Sequence, residues 1–460
     1  MSAHTASMAS GGPSRTLERL RRAMPALVAM ATLLVGGFFL ARTAPGDTPD
    51  VWSHTYRVSS ILNGDLTARP VTSKSHLHDS SGNVGGSVDR MWLDYSTEHD
   101  DGYDPSAAIA DTVADRAGPT VDLPFNNTAV NSPVVYLPQI LAFLAGRTLG
   151  LSANATYRLA QVVMLGVYAG CMALAIALLP RWRIAMSLVL LDPLMLRYGS
   201  FAVSADSFTQ AVAIVFTCMM FRAMCRTVSL RYSVILSLVA VVLAMCKFIY
   251  APLALLMLLI PFAQRTMEGR GGHDPGFRRL LAAFSLADIA AFGWLSVWLR
   301  LNDWYAVTPM LVPFADIERK KEYLLSHPQG AVDFFKAFGT AVVTGQSNLN
   351  NHHDSVKILA FWILAAALLG VILAAGVTGA APRRQLAMWW CWYLMAVGIV
   401  AVNYLALWLQ YTPEGAAGID GMQSRYLLPI AALFALVGFE SVNRLLGGKL
   451  RRPRQLRIHC

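Results

Sequence analysis

Pro49-Asp50-Val51-Trp52-Ser53-His54-Thr55-Tyr56-Arg57 holds the first side chains that could do chemistry. Helical spacing puts Asp50, His54 and Arg57 on one face. A carboxylate there can serve as general base toward an acceptor hydroxyl, or hold a divalent cation against a phosphate. It can equally cap the N-terminus of the helix that follows. A second group, Asp192, Arg197, Asp206, Lys247, Asp288 and Arg425, lies within or at the edge of apolar runs. Ionisable residues at such depth are costly and turn toward a bundle interior, a cavity or the interface. Arg425 suits a phosphate through bidentate hydrogen bonds, and Lys247 as a compact point charge. The alternatives for these cations are snorkelling or ion pairing between helices.

Weaker candidates are the metal-ligand types in His76-Leu77-His78, Asp100-Asp101-Gly102-Tyr103-Asp104 and His352-His353. None has the spacing of a complete zinc or calcium site, so each reads first as solvated loop. Asn126-Asn127-Thr128 and Asn154-Ala155-Thr156 match glycosylation acceptors. There is no phosphate loop of the G-x-x-x-x-G-K-[ST] kind, no dinucleotide glycine fingerprint and no H-E-x-x-H helix.

The elements that must position these residues follow from composition. Of 460 residues, 55% are hydrophobic and only 14% are charged, which argues against a soluble enzyme or a disordered chain. Ten apolar segments are near the length of a membrane span: 24–42, 156–179, 184–199, 207–225, 232–247, 249–264, 280–300, 357–377, 386–409 and 425–445. With the N-terminus cytoplasmic, more than half of the 38 basic residues fall in the inner loops and tails, with few acids beside them. That places both termini in the cytoplasm and gives the net charge of +10 a topological meaning, leaving no case for nucleic acid. The cysteines lie in or beside apolar runs or at the C-terminus, so no disulfide framework is readable.

The expected organisation is a cytoplasmic tail (1–23), one all-α transmembrane domain (24–445) and a basic cytoplasmic tail (446–460). Within the domain, 43–155 and 301–356 are too long for simple connectors. In the first of these, Val51–Leu62 is expected to form a short helix, and the apolar stretch 133–149, interrupted by Pro138, an interfacial or re-entrant one. Arg197, Asp206, Lys247 and Arg425 all fall at the outer ends of their spans, the arrangement an anion-binding vestibule needs.

Taken in order, several stretches resemble the markers of the bacterial membrane family known as domain of unknown function 2142, over about residues 25 to 445. They are Pro49–His54, Val84-Gly85-Gly86, Asn127-Thr128-Ala129 with Ser132-Pro133 and Tyr136-Leu137-Pro138, Ser204–Thr209, Lys247–Pro252 and Gln423–Pro429. That family is similar in layout to the GT-C glycosyltransferases, which take a polyprenyl-phosphate-linked sugar from the outer leaflet. The resemblance implies a GT-C-like bundle of about ten transmembrane helices with a large first outer loop. It implies Asp50 as the catalytic base, or as the acid that positions a divalent cation if one is used. Lys247 and Arg425 would contact the lipid phosphate, with His54, Arg57 and Asp206 completing the substrate site. One departure matters: Val51 stands where the family pattern has an acid, so Asp50 is the only carboxylate of the motif. The implied activity is inverting sugar transfer, from a polyprenyl-phosphate-sugar donor to a glycan, lipid-linked or protein acceptor of the cell envelope. The competing expectation is a non-enzymatic carrier, flippase or assembly subunit for envelope polysaccharide.

Overall fold

Asp206 opens the helix at the centre of the molecule. The computed structural model describes residues 15–71, 83–99, 119–267, 275–302, 317–344, 352–413 and 415–447. The chain is mostly helical. It begins with α1 (Arg15–Arg42), α2 (Val51–Leu62), α3 (Arg90–His99), α4 (Leu137–Leu149) and α5 (Ala153–Leu178). Next come α6 (Arg183–Leu190), α7 (Pro193–Gly199), α8 (Ala205–Ala223), α9 (Leu230–Cys246), α10 (Ile260–Met267) and α11 (Pro275–Leu301). The last helices are α12 (Ile317–Ser326), α13 (Pro328–Thr344), α14 (His352–Val377), α15 (Arg383–Gln410) and α16 (Ala431–Leu445).

Helix α8 is packed against α5, α9 and α16 and is buried along almost its whole length. Because protein rather than lipid surrounds it, it carries Ser207, Thr209 and Gln210 inside, each an affordable polar group only with partners nearby. Ser207 and Thr209 bond to backbone carbonyls, and Gln210 donates to the Tyr168 hydroxyl at 2.6 Å. The peripheral helices show the opposite pattern. Met30, Leu34 and Phe38 of α1 and Leu286, Ile289 and Val297 of α11 are exposed, the surface a bilayer covers at no cost to those side chains.

Among the described residues, seven segments are long and apolar enough to cross a membrane: Glu18–Arg42, Ala153–Leu178, Phe248–Arg265, Gly276–Leu301, Ser355–Val377, Arg383–Gln410 and Ser424–Leu445. Helix α9, with 17 residues, falls just short of that length. The expected span 184–199 is not one helix. Pro193 cannot continue the hydrogen bonding of α6, so the chain breaks and restarts as α7. Asp192 is the N-cap of the restart, its Oδ1 accepting from the Leu194 N–H at 2.9 Å. That is a local capping role, not an intramembrane charge.

Helix α2 occupies the expected residues, whereas the long segment after it holds an unexpected feature. Strands β1 (Arg69–Pro70), β2 (Val84–Asp89) and β3 (Thr120–Pro124) form an antiparallel sheet in the order β1-β2-β3. Gly85 faces Pro124 in the β2–β3 register, and a Cβ on it would sit 1.8 Å from the Leu123 carbonyl oxygen. A Cβ on Gly86 would sit 2.2 Å from Ser60 Oγ of α2. The glycine pair therefore lets sheet and helix close on each other. Hydrogen bonds from Asp89 N–H to Ser59 Oγ (3.0 Å) and from Asn63 to the Ser87 carbonyl (2.9 Å) fasten the two.

Helix α4 has 13 residues, too few to cross a bilayer, and packs on α5. In the second long loop, α12 is anchored by buried Lys320, whose ammonium donates to the Trp408 carbonyl at 2.7 Å and to the Thr412 carbonyl. These are the carbonyls left open at the C-terminus of α15.

Candidate functional site

Four charged residues from four distant stretches meet at one end of the bundle. Asp50 precedes α2, Asp206 lies in the first turn of α8, Lys247 ends α9, and Arg425 lies in a 3₁₀ segment (Ser424–Ile430) ahead of α16. Both cations start Pro-containing 3₁₀ segments. Lys247 precedes Phe248–Leu259, which contains Pro252, and Arg425 is followed by Pro429. A proline removes one backbone donor, which favours the tighter winding and leaves the turn near the cation irregular.

The charges alternate. Arg425 Nη2 donates to Asp50 Oδ2, and Arg425 Nη1 lies 3.3 Å from Asp206 Oδ2. Lys247 Nζ donates to Asp206 Oδ1. Arg425 also donates to the Pro49 carbonyl at 3.3 Å. The Arg425–Asp206 contact is an ion pair without hydrogen-bond geometry. Asp206 Oδ2 and Arg425 Nε consequently have no hydrogen-bond partner among the described residues. Exposure is graded across the row: the side chains of Arg425 and Asp206 are 8% and 11% exposed, those of Asp50 and Lys247 26% and 22%. The two middle members are sealed, and the two end members face outward.

The structure decides the local role of Asp50. It occupies the N-cap position of α2 in the left-handed region (φ 61°), and its side chain makes no capping hydrogen bond. Left-handed backbone is uncommon for a residue with a Cβ, aspartate being among the more tolerant. The strained residue instead aims its carboxylate at Arg425 and at Asn127, whose Nδ2 donates to Asp50 Oδ1 at 2.9 Å. Burial opposes ionisation of Asp50, but the Arg425 charge and hydrogen bond prevail and hold its carboxyl below the usual range.

His54 sits one turn further along, buried beneath the charges. Its Nδ1 is 2.6 Å from the Tyr136 hydroxyl, and its Nε2 is 3.3 Å from Ser204 Oγ. Burial lowers its pKa to about 4 against the pull of Asp50 and Asp206, so the ring is neutral at pH 7. Ser204 in turn caps α8 through the Asp206 N–H at 3.1 Å. A neutral imidazole thus links the loop to the helix that carries Asp206.

Arg57 does not join this cluster, although helical spacing put it on the same face. Its guanidinium donates to the carbonyls of Asp65 (2.9 Å), Leu66 (2.6 Å) and Asn131 (3.3 Å), and it is fully buried. Burial brings its pKa down to about 10, so it remains a cation that clamps loop backbone. Arg197 is exposed on α7. Asp288 is buried on α11, outside the cluster, and neither carboxylate oxygen has a hydrogen-bond partner among the described residues.

Three positioning residues were not singled out from sequence: Asn127, Tyr136 and Ser204. Each belongs to a marker stretch, but its partner lies 77, 82 or 150 residues away. Of the two glycosylation motifs, Asn126 is buried and its Oδ1 accepts from the Val84 N–H at 2.7 Å, while Asn154 accepts from the Tyr95 hydroxyl at 2.9 Å. Residues 76–78 and 100–104, and the side chains of His352 and His353, lie outside the described residues.

A divalent cation does not fit the cluster. Asp50 and Asp206 are separated by the guanidinium of Arg425, and no three His, Cys, Asp or Glu side chains converge among the described residues. What the row can do is exchange partners: an incoming anion can replace a carboxylate on Arg425 or Lys247 without creating a new unpaired cation.

The sequence signature of the predicted membrane protein family DUF2142 matches residues 33–434, and the chain belongs to that family. No curated protein and no solved structure matches the chain.

Proposed function

Taking that membership as the premise, we propose that the chain is an integral membrane glycosyltransferase of the GT-C kind. It takes sugar from a polyprenyl-phosphate donor at the extracytoplasmic face of the plasma membrane and transfers it to a cell-envelope glycan, lipid-linked intermediate or protein. The single observation that carries this reading is the alternating row Asp50–Arg425–Asp206–Lys247, sealed in its middle and only half-buried at its two ends.

The donor phosphate exchanges onto Arg425 and Lys247, where charge-assisted hydrogen bonds favour it. Asp50, released from Arg425, loses the partner that depresses its pKa and becomes a better base. It takes the proton of the acceptor hydroxyl while the hydroxyl oxygen attacks the anomeric carbon in line. The bond to the lipid phosphate breaks with its electrons on the phosphate, and the configuration inverts. The fixed cations offset the charge of that leaving group. Donor binding therefore switches on the base.

Purified protein given radiolabelled lipid-phospho-sugar and envelope acceptors tests this. Asp50→Asn should reduce turnover by about 10²-fold or more while leaving donor binding intact or tighter, since a competitor for Arg425 is gone. Unchanged turnover would remove Asp50 from the chemistry.

A specific observation favours a second reading, a carrier, flippase or assembly subunit that grips lipid phosphate without breaking a bond. Val51, where the family pattern has an acid, is fully buried, so the motif contributes one carboxylate, already paired. Lipid flipping in vesicles without sugar transfer would select that reading.

A further inference from the structure

The other end of the bundle holds a cavity of about 720 Å³ that the reaction does not use. It lies at the C-terminal end of α8, with Phe221 roughly 22 Å along the helix from Asp206 at 1.5 Å per residue. Its walls are Phe221, Met224, Leu259, Trp389, Trp392 and Leu436. Among the described residues, five arginines also line it, Arg181, Arg265, Arg383, Arg384 and Arg444, against one acid, Glu440. That acid is already engaged, accepting from Arg181 Nε and, at 2.6 Å, from Trp182 Nε1.

Two further features point at an anion. Helix α15 starts at the cavity, and its N-cap, Pro382, offers no side-chain cap, so the open N–H groups of its first turn face the rim. Arg444 Nε is buried and has no hydrogen-bond partner among the described residues. A basic surplus beside the membrane is what topology asks for, but topology does not require those arginines to ring an aromatic chamber. A small soluble anion has no use for that chamber either. An amphiphile with a phosphate at one end uses both parts.

We propose that this cavity binds an acidic phospholipid from the leaflet opposite the Asp50 cluster. The phosphate lies against Arg383, Arg384, Arg444 and the α15 N-terminus, and an acyl chain lies along Trp389, Trp392 and Phe221. The lipid is a resident ligand of the inactive end, distinct from the donor.

The test is lipid retention by the full-length protein, counted by native mass spectrometry after exchange into detergent with equal phosphatidylglycerol and phosphatidylcholine. Phosphatidylglycerol should be retained selectively. R383Q/R384Q should lower that retention about tenfold, as loss of charge-assisted phosphate contacts predicts. Ala263→Trp, which fills the cavity wall without changing charge, should lower it as well. Cys391, an exposed thiol on the same wall, gives a readout in the unmutated protein: phosphatidylglycerol, and not phosphatidylcholine, should slow its alkylation. Equal retention of the two lipids, no effect of either variant, or unprotected Cys391 would overturn the proposal. Displacement of the lipid by glycerol phosphate would overturn it too, by assigning the rim to a free phosphate.

Discussion

The two ends of the bundle handle charge in opposite ways. At the Asp50 end, acids and bases alternate, so the row is electrically balanced and its middle is sealed from solvent. At the other end, arginines outnumber acids around an apolar chamber among the described residues, and Glu440 is claimed by Arg181 and Trp182. A buried charge needs an opposite charge beside it, because desolvation there is several kcal/mol per ion. An arginine at a rim can reach water and needs no partner. Balance therefore marks where the protein has enclosed its ions, and the basic rim marks where it keeps charge within reach of solvent.

The contrast predicts which substitutions matter, beginning with the largest effect. Arg425→Met takes the guanidinium from Asp50 and leaves Asp206 with Lys247 alone, and should cost about 3–5 kcal/mol, read as the unfolding midpoint in detergent. Adding Asp50→Asn should restore part of that loss. If the double variant is no more stable than Arg425→Met alone, the two residues are not coupled and the row is not a unit.

The next effect depends on pH. The His54 imidazole titrates near its ordinary 6.5 in the unfolded chain and at about 4 in the fold, because burial disfavours its charged form. Folding favours the neutral ring, so this contribution is complete above about 6.5 and is lost as pH falls toward 4. Stability should drop by up to a few kcal/mol across that window, and His54→Gln should flatten the curve. An equally steep curve in the variant would assign the acid sensitivity elsewhere.

The smallest effect belongs to the other end. Glu440→Gln removes the partner of Arg181, whose side chain is 35% exposed. Glu440 itself is buried, but the Arg181 left behind can reach solvent and the amide can still accept from Trp182, so the loss should be about 1–2 kcal/mol. A cost matching that of Arg425→Met would erase the distinction between the two ends.

Much of this was legible in the sequence. Helix α2 lies on the expected residues, and of the four residues expected at outer span ends Asp206, Lys247 and Arg425 meet, whereas Arg197 stays exposed on α7. That level is a local property, since hydropathy fixes where each span ends. What was not legible depends on distance along the chain. Arg57 shares a helix face with Asp50 and His54, yet the carbonyls of Asp65, Leu66 and Asn131 claim it, and only the folded loop presents them together. The sheet pairs β2 with a strand beyond a long insertion, so alternation in six residues of Val84–Asp89 carried little signal. The break at Pro193 was readable from proline alone. The cavity arises from how five elements meet, which no single stretch encodes.

The hydrogen bond between Arg425 and Asp50 spans 375 positions of the chain. At a synthesis rate of 5–20 residues per second, Asp50 leaves the ribosome roughly 20–75 s before Arg425 does. Until the last span is in place, α2 has a left-handed aspartate at its start and no guanidinium to hold it. The Asp50 row is therefore completed only late in synthesis. A chain cut short before residue 425 would lack both the guanidinium that holds the Asp50 carboxylate and α16, which packs against α8.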